Sequence, residues 1–293
     1  MNRLLRILVE PGFFTNGSVH TALVVGAGAA LVSGVVGVFT VMRGQSFAGH
    51  ALSDVSSAGG SLSFLLRMNP LLGFLGMAAL ASGGMELAGV RYARGRDLAT
   101  GVVLGAGLGL AALFLYLDST FTTTTGAAIT VMFGSMFAIP ASTAILASLV
   151  GLVALVAVAV LYRPLLLTSV HWELAAVRGV RVGLIALLYM LVLSLAVSLS
   201  AITVGAILST ALLIGPAGTA LGVARRPGSA VLLACGIALG ATWLGILLAY
   251  DSGAWTPQHP WPVSFFVVAL LLLSYLAIGR SPRRVPRPAN GEM

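Results

Sequence analysis

The chain has no lysine: all 16 basic residues of its 293 are arginine, against only eight acids, and charged types make up 8% of the sequence. A soluble domain carries about 25% charged residues, so a water-facing globule of this size is excluded for want of polar surface. The missing lysine also excludes a phosphate-gripping GxxxxGK[ST] loop, whose lysine reaches the nucleotide phosphates. No HExxH, nucleophile-elbow or paired-cysteine motif is present. Cys235 is the single cysteine and sits in an apolar run, so no intrachain disulfide can form and packing is its expected role. Met1 to Gly12 is too polar for the apolar core of a cleavable signal peptide.

What the chain does have is apolar length. Hydrophobic types make up 58% of it and its mean hydropathy is +1.04. The apolar runs are helix-length, unlike the ten-residue alternating segments of an outer-membrane barrel. The expected fold is therefore all-α, a polytopic membrane bundle embedded in the lipid bilayer, with no separate soluble catalytic domain. Charges and polar clusters delimit nine spans, at 20–42, 46–66, 70–90, 98–117, 140–162, 180–199, 201–223, 229–250 and 262–279. Each is near the roughly 20 residues that a bilayer requires. Ala127 to Ile139 is too short to cross and reads as a half-helix or re-entrant piece. Residues 1–19 read as an interfacial segment, 20–279 as the transmembrane domain and 280–293 as a basic, proline-rich tail.

Arginine placement gives a direction. With Arg91, Arg94 and Arg96 on the cytoplasmic side, alternation puts Arg43, Arg163, Arg178, Arg181, Arg225, Arg226 and the tail arginines 280, 283, 284 and 287 there too. Thirteen of 16 are then inside, leaving Arg67, Arg3 and Arg6 outside. The N-terminus is expected outside and the C-terminus inside. The net charge of +8 is accounted for by these loops, with no nucleic-acid partner implied. Gly101, Gly105 and Gly109 form a GxxxGxxxG face suited to helix packing.

Ionisable groups within a bilayer cost about 2.5–3.5 kcal/mol each on insertion scales, so each needs a reason. His50 and Asp54 lie four apart in the second span and share a helix face. At about 100° per residue, Ser46, Ser53, Ser57 and Ser61 fall on the same arc, opposite Ala48, Leu52, Val55, Ala58 and Leu62. Such a stripe turns toward water, a solute path or another polar helix. Imidazole nitrogen with carboxylate oxygen suits borderline divalent ions such as zinc, manganese or iron. Two ligands are too few for a closed structural site, and an open set suits an ion that must leave again. The same spacing would equally serve a buried ion pair whose serines bond back to their own helix. Glu86 is expected to pair with Arg91 at the interface, and Asp118, Thr122–Thr125, Asp251, His259 and His20 to lie in or near the outer mouth.

Two further features stand out. Gly215-Pro216-Ala217-Gly218 interrupts the seventh span, where the proline removes a backbone hydrogen bond and predicts a break or kink. Pro164 to Val180 reads as the longest internal loop, holding a short helix-prone stretch from His171 to Gly179.

Along residues 20 to 280 these stretches resemble the permease subunits of bacterial ABC importers for zinc, manganese and iron. Arg43-Gly44-Gln45-Ser46-Phe47-Ala48-Gly49-His50-Ala51-Leu52-Ser53-Asp54 is similar to the family's R-x-x-S/A-F-x-G-D-A-L-S/A-H block. Arg96-Asp97-Leu98, Phe133-Gly134-Ser135, His171-Trp172-Glu173-Leu174-Ala175 with Gly179, and Val204 through Ala220 also fit. The family places aspartate before histidine; here the two are exchanged, which keeps the ligand types and reverses their order along the helix. The resemblance implies a homodimeric permease in the bacterial plasma membrane, seated on two cytoplasmic ABC ATPase subunits and fed by an extracellular or periplasmic metal-binding protein. His50 and Asp54 would be the metal ligands, with Ser46, Ser53, Ser57 and Ser61 lining the pathway. His171, Trp172, Glu173, Leu174, Ala175, Arg178 and Gly179 would form the helix that couples to the ATPase, and Gly215, Pro216 and Gly218 a helix break. No permanent cofactor is implied; the metal is cargo, and ATP hydrolysis belongs to the partner. The rival readings are an ion-coupled secondary carrier, with Asp54 relaying protons, and an intramembrane enzyme, for which the loops offer too few acids and histidines.

Overall fold

Asn16 opens the first helix, its side chain accepting the Ser18 amide at 3.0 Å. The computed structural model describes residues 13, 15–89, 93–121, 126–170, 172–255 and 261–278. Among these there are eleven α-helices, one 3-10 turn and no strand. In chain order the helices are α1 Gly17–Met42, α2 Ser46–Leu65, α3 Pro70–Gly89, α4 Ala93–Phe121, α5 Ala127–Phe133, α6 Ala141–Val170, α7 Trp172–Val177, α8 Val182–Val204, α9 Ala206–Val223, α10 Pro227–Trp255 and α11 Val263–Ile278. The 3-10 turn, Met136–Ala138, follows α5.

Each of the nine apolar runs expected from the sequence coincides with one of these helices. Six of them, within α1, α4, α6, α8, α9 and α10, are long and apolar enough to cross a membrane by length and composition. Ala127–Ile139 forms only a seven-residue helix and the 3-10 turn, too short to span, as its length predicts.

Chain reversals use one repeated device. At the ends of α1, α2 and α7, Gly44 (φ +65°), Arg67 (φ +55°) and Gly179 (φ +78°) adopt the left-handed conformation. In each turn the following amide bonds back six-to-one: Gln45 to Thr40 at 2.9 Å, Met68 to Ser63 at 2.8 Å and Val180 to Ala175 at 3.0 Å. This pairing satisfies helix carbonyls that otherwise lack partners.

The helices pack in two groups. α1 is buried along most of its length among α6, α8, α9 and α10. There Gly37 lets the Leu213 carbonyl of α9 approach, and Gly34 abuts the Cys235 backbone of α10. α2 lies against α3 and α4. Gly59 and Gly73 meet backbone to backbone at the α2–α3 crossing, and Gly107 of α4 seats on Val55 of α2. Two hydrogen bonds fix relative ends. Arg43 to Thr168 (3.0 Å) joins the end of α1 to the end of α6, and Asn69 to Thr143 (2.9 Å) joins the α2–α3 turn to the start of α6.

Several expectations need correction. The seventh span does not break at Gly215-Pro216: α9 runs unbroken from Ala206 to Val223 with Pro216 inside it. A membrane helix tolerates a proline of this kind when it is packed among neighbouring helices, and Pro216 is buried in the bundle. The interruption lies instead at Gly205, the one residue between α8 and α9. The stretch from Pro164 is no loop, because α6 continues through Pro164 to Val170. Gly101, Gly105 and Gly109 face away from the bundle, with open space where a side chain would stand; Gly107 makes the close contact. Asp118 and Asp251 are buried, because α4 and α10 extend past the expected span ends and carry them inside helices. Residues 1–12, Arg91, Thr122–Thr125, His171, His259 and the tail from 280 lie outside the described residues.

Candidate metal site on the second helix

The turn at Gly44 delivers α2 into the bundle with His50 in its second turn and Asp54 one turn further on. The His50 Nε2 to Asp54 Oδ2 separation is 3.5 Å, and the side chains are 45% and 15% exposed. The imidazole is therefore reachable from outside the chain, while the carboxylate is mostly covered. The other imidazole nitrogen, Nδ1, lies 3.0 Å from Thr210 Oγ1 on α9. One turn on from His50, Ser53 is fully buried and donates to Ala206 O at 2.7 Å, with Ser209 Oγ also in hydrogen-bond contact. The start of α9 is thus fastened by hydroxyl groups to the face of α2 that carries His50 and Asp54.

The remaining serines of the stripe divide. Ser46 is half-buried in the first turn of α2. Ser57 bonds back to Asp54 O at 2.5 Å, and Ser61, fully buried, to Ser57 O at 2.7 Å. The structure therefore brings His50, Asp54 and Thr210 together, whereas Ser53, Ser57 and Ser61 spend their hydroxyls on backbone carbonyls. Among the described residues no cluster of three or more His, Cys, Asp or Glu side chains forms. Two donor side chains would make an open coordination set, of the kind an ion can enter and leave.

Thr210 and Ser209 are the members that the sequence reading missed. They are two consecutive hydroxyl residues in the first turns of α9, followed by eight residues without a polar side chain, Ala211 to Gly218. A cavity of about 560 Å³ lies at the far end of α2, bounded by Phe64, Arg67, Phe74, Ser135 and Pro140. At 1.5 Å per residue that is roughly 20 Å along the helix from His50, so it is separate from the pair. Glu86 is buried on α3; its expected partner Arg91 lies outside the described residues.

At the other end, α7 is short. Its Leu174 is 46% and Val177 86% exposed, Glu173 and Arg178 are exposed, and Ala175 is buried beneath them. Gly179 ends it with the left-handed turn described above.

The sequence profile of the ABC 3 transport family matches residues 16–277. The chain belongs to the ABC 3 transport family. It is a multi-pass permease of the bacterial plasma membrane, and its helices serve transport. It is 33% identical over 239 residues to the manganese import system permease protein ScaB of Streptococcus pneumoniae, covering 81% of this chain and 82% of that one. It is 27% identical over 235 residues to the high-affinity zinc uptake system membrane protein ZnuB of Haemophilus influenzae, covering 80% and 89%. Among solved structures, a chain of PsaBC from Streptococcus pneumoniae in complex with Fab superposes with a TM-score of 0.77 at 24% identity, over 93% of this chain and 95% of that one. That likeness shows that the two chains share one fold.

Proposed function

We propose that this chain is the membrane-spanning subunit of an ATP-driven importer of a divalent transition metal, manganese or zinc, with iron the third ion of the same donor chemistry. The observation that carries the reading is the His50–Asp54 pair, 3.5 Å apart on one face of α2 with its imidazole accessible, in a chain whose relatives are manganese and zinc permeases. A nitrogen and an oxygen ligand suit these borderline ions. In this reading nine helices span the bilayer, with the N-terminus outside and the C-terminus inside, residues 20–279 forming the transport domain.

Two copies of the chain face each other, and each sits on a cytoplasmic ATPase subunit. The exposed apolar side chains of α7, Leu174 and Val177, enter a groove of that ATPase in the manner of a helix docking on its apolar face. ATP binding closes the ATPases, α7 carries the movement into the bundle, and the ion delivered by an external binding protein passes His50 and Asp54. The protein's part is to bind, orient and release; it changes no covalent bond.

The test is uptake of radioactive manganese and zinc into proteoliposomes containing the permease, its ATPase and its binding protein. The H50A/D54A double variant is expected to lose uptake while still assembling with the ATPase. Undiminished uptake by that variant would remove the pair from the pathway. Uptake by the permease alone, driven by a proton gradient, would instead favour the secondary carrier.

A further inference from the structure

The His50 ring is held from both edges. Nε2 faces the Asp54 carboxylate at 3.5 Å and Nδ1 faces the Thr210 hydroxyl at 3.0 Å. These partners differ in capacity: an ionised carboxylate only accepts hydrogen bonds, whereas a hydroxyl accepts and donates. Thr210 is half-buried, and its distance from α2 is set by the neighbouring Ser53 bonds to Ala206 O and Ser209, one helical turn along.

We infer that Thr210 is a positioning residue for the ion-binding imidazole, resting on the metal-permease reading above. With an ion present, Nε2 offers its lone pair to the metal, Nδ1 carries the single ring proton, and that N–H donates to Thr210 Oγ1. With the site empty, Nε2 carries the proton toward Asp54, and the Thr210 hydroxyl rotates to donate to Nδ1. The proton changes nitrogen by exchange with water, which reaches the half-exposed ring. A group that only donates, or only accepts, would favour one state over the other. A hydroxyl matches both, so the ion binds and leaves without Nδ1 losing its partner. Partners of this kind orient a metal-binding histidine, and removing one costs about 10–100-fold in affinity.

The experiment titrates the purified permease–ATPase complex in detergent with manganese ion alone, reading bound metal from loss of the free-ion paramagnetic resonance signal. T210V keeps the shape and removes the hydroxyl; T210S keeps the hydroxyl. The expected result is a Kd raised about 10–100-fold in T210V, restored in T210S, with an unchanged thermal unfolding temperature in both. In an H50A background, T210V should add no further loss, since its effect runs through the ring. T210V binding like wild type while H50A binds weakly would overturn the role of Thr210 and leave the ion site standing. Equal losses in T210S and T210V, or an additive loss in H50A/T210V, would also overturn it. Unweakened binding in H50A would instead sink the parent reading.

Discussion

Gly134 and Gly205 oppose each other backbone to backbone, and both have positive φ, +78° and +94°. A side-chain carbon on Gly134 would strike the Thr203 carbonyl, and one on Gly205 the Met132 carbonyl. The Ser135 amide also reaches Ile202 O, at 3.5 Å. The end of the short α5 is therefore locked onto the single-residue joint between α8 and α9.

Alanine at either glycine should be severely destabilising. With ψ of 173° and 157° both lie in a positive-φ extended region that is essentially restricted to glycine, costing an L-residue about 1–3 kcal/mol, and the backbone clash adds to it. Thermal unfolding in detergent should show a large fall for G134A and G205A. G218A, where a side-chain carbon meets nothing within 4 Å, is the matched control and should hold or gain stability, because alanine is the better helix former by up to about 1 kcal/mol.

Removing one buried hydroxyl should have a smaller effect. Tyr189 is fully buried, donates to Val36 O at 3.0 Å and contacts Thr40 Oγ1 at 2.7 Å. Thr40 keeps its own 2.9 Å bond to Val36 O, so no oxygen is abandoned in Y189F. The expected cost is about 1 kcal/mol, seen as a modest drop in unfolding temperature with unchanged assembly.

P216A tests what the proline costs a continuous helix. Proline inside a helix costs about 3 kcal/mol, and α9 runs straight through it. The variant should regain the missing backbone bond and unfold at the same or a higher temperature. A marked drop would mean that the ring, buried in the bundle, contributes more by packing than it costs by the lost bond.

V177D tests the ATPase contact. Val177 is 86% exposed, so the charge should leave thermal stability of the isolated permease unchanged. Co-purification with the ATPase should fall sharply if this side chain enters the partner's groove. Retained co-purification would place the contact elsewhere.

The bundle was legible because hydropathy and length act locally: a run of about 20 apolar residues has few alternatives to a helix in lipid. The His50–Asp54 pair was legible for the same reason, since four-residue spacing fixes a shared face. Thr210 was not, because its meaning depends on α9 lying against α2, 160 residues away in the chain. Pro216 misled because its local penalty is real, yet the chain interrupts at Gly205, where the backbone of α5 demands a residue without a side chain. The GxxxGxxxG face misled differently. Small residues permit close approach but name no partner, and the contact fell to Gly107, outside that stripe.

Gly59 and Gly73 leave no side chain between α2 and α3, and Gly107 removes the cushion between α4 and Val55. Three helices so closely seamed behave as a stiff plate, in which one member can hardly roll or slide without the others. The edge of α2 that meets α9 is of another kind, stitched by hydroxyl hydrogen bonds instead of bare backbone contact. Any rearrangement of the bundle should therefore carry the plate as one rigid body, His50 and Asp54 riding on it together, with the start of α9 drawn along by its bonds to Ser53 and His50.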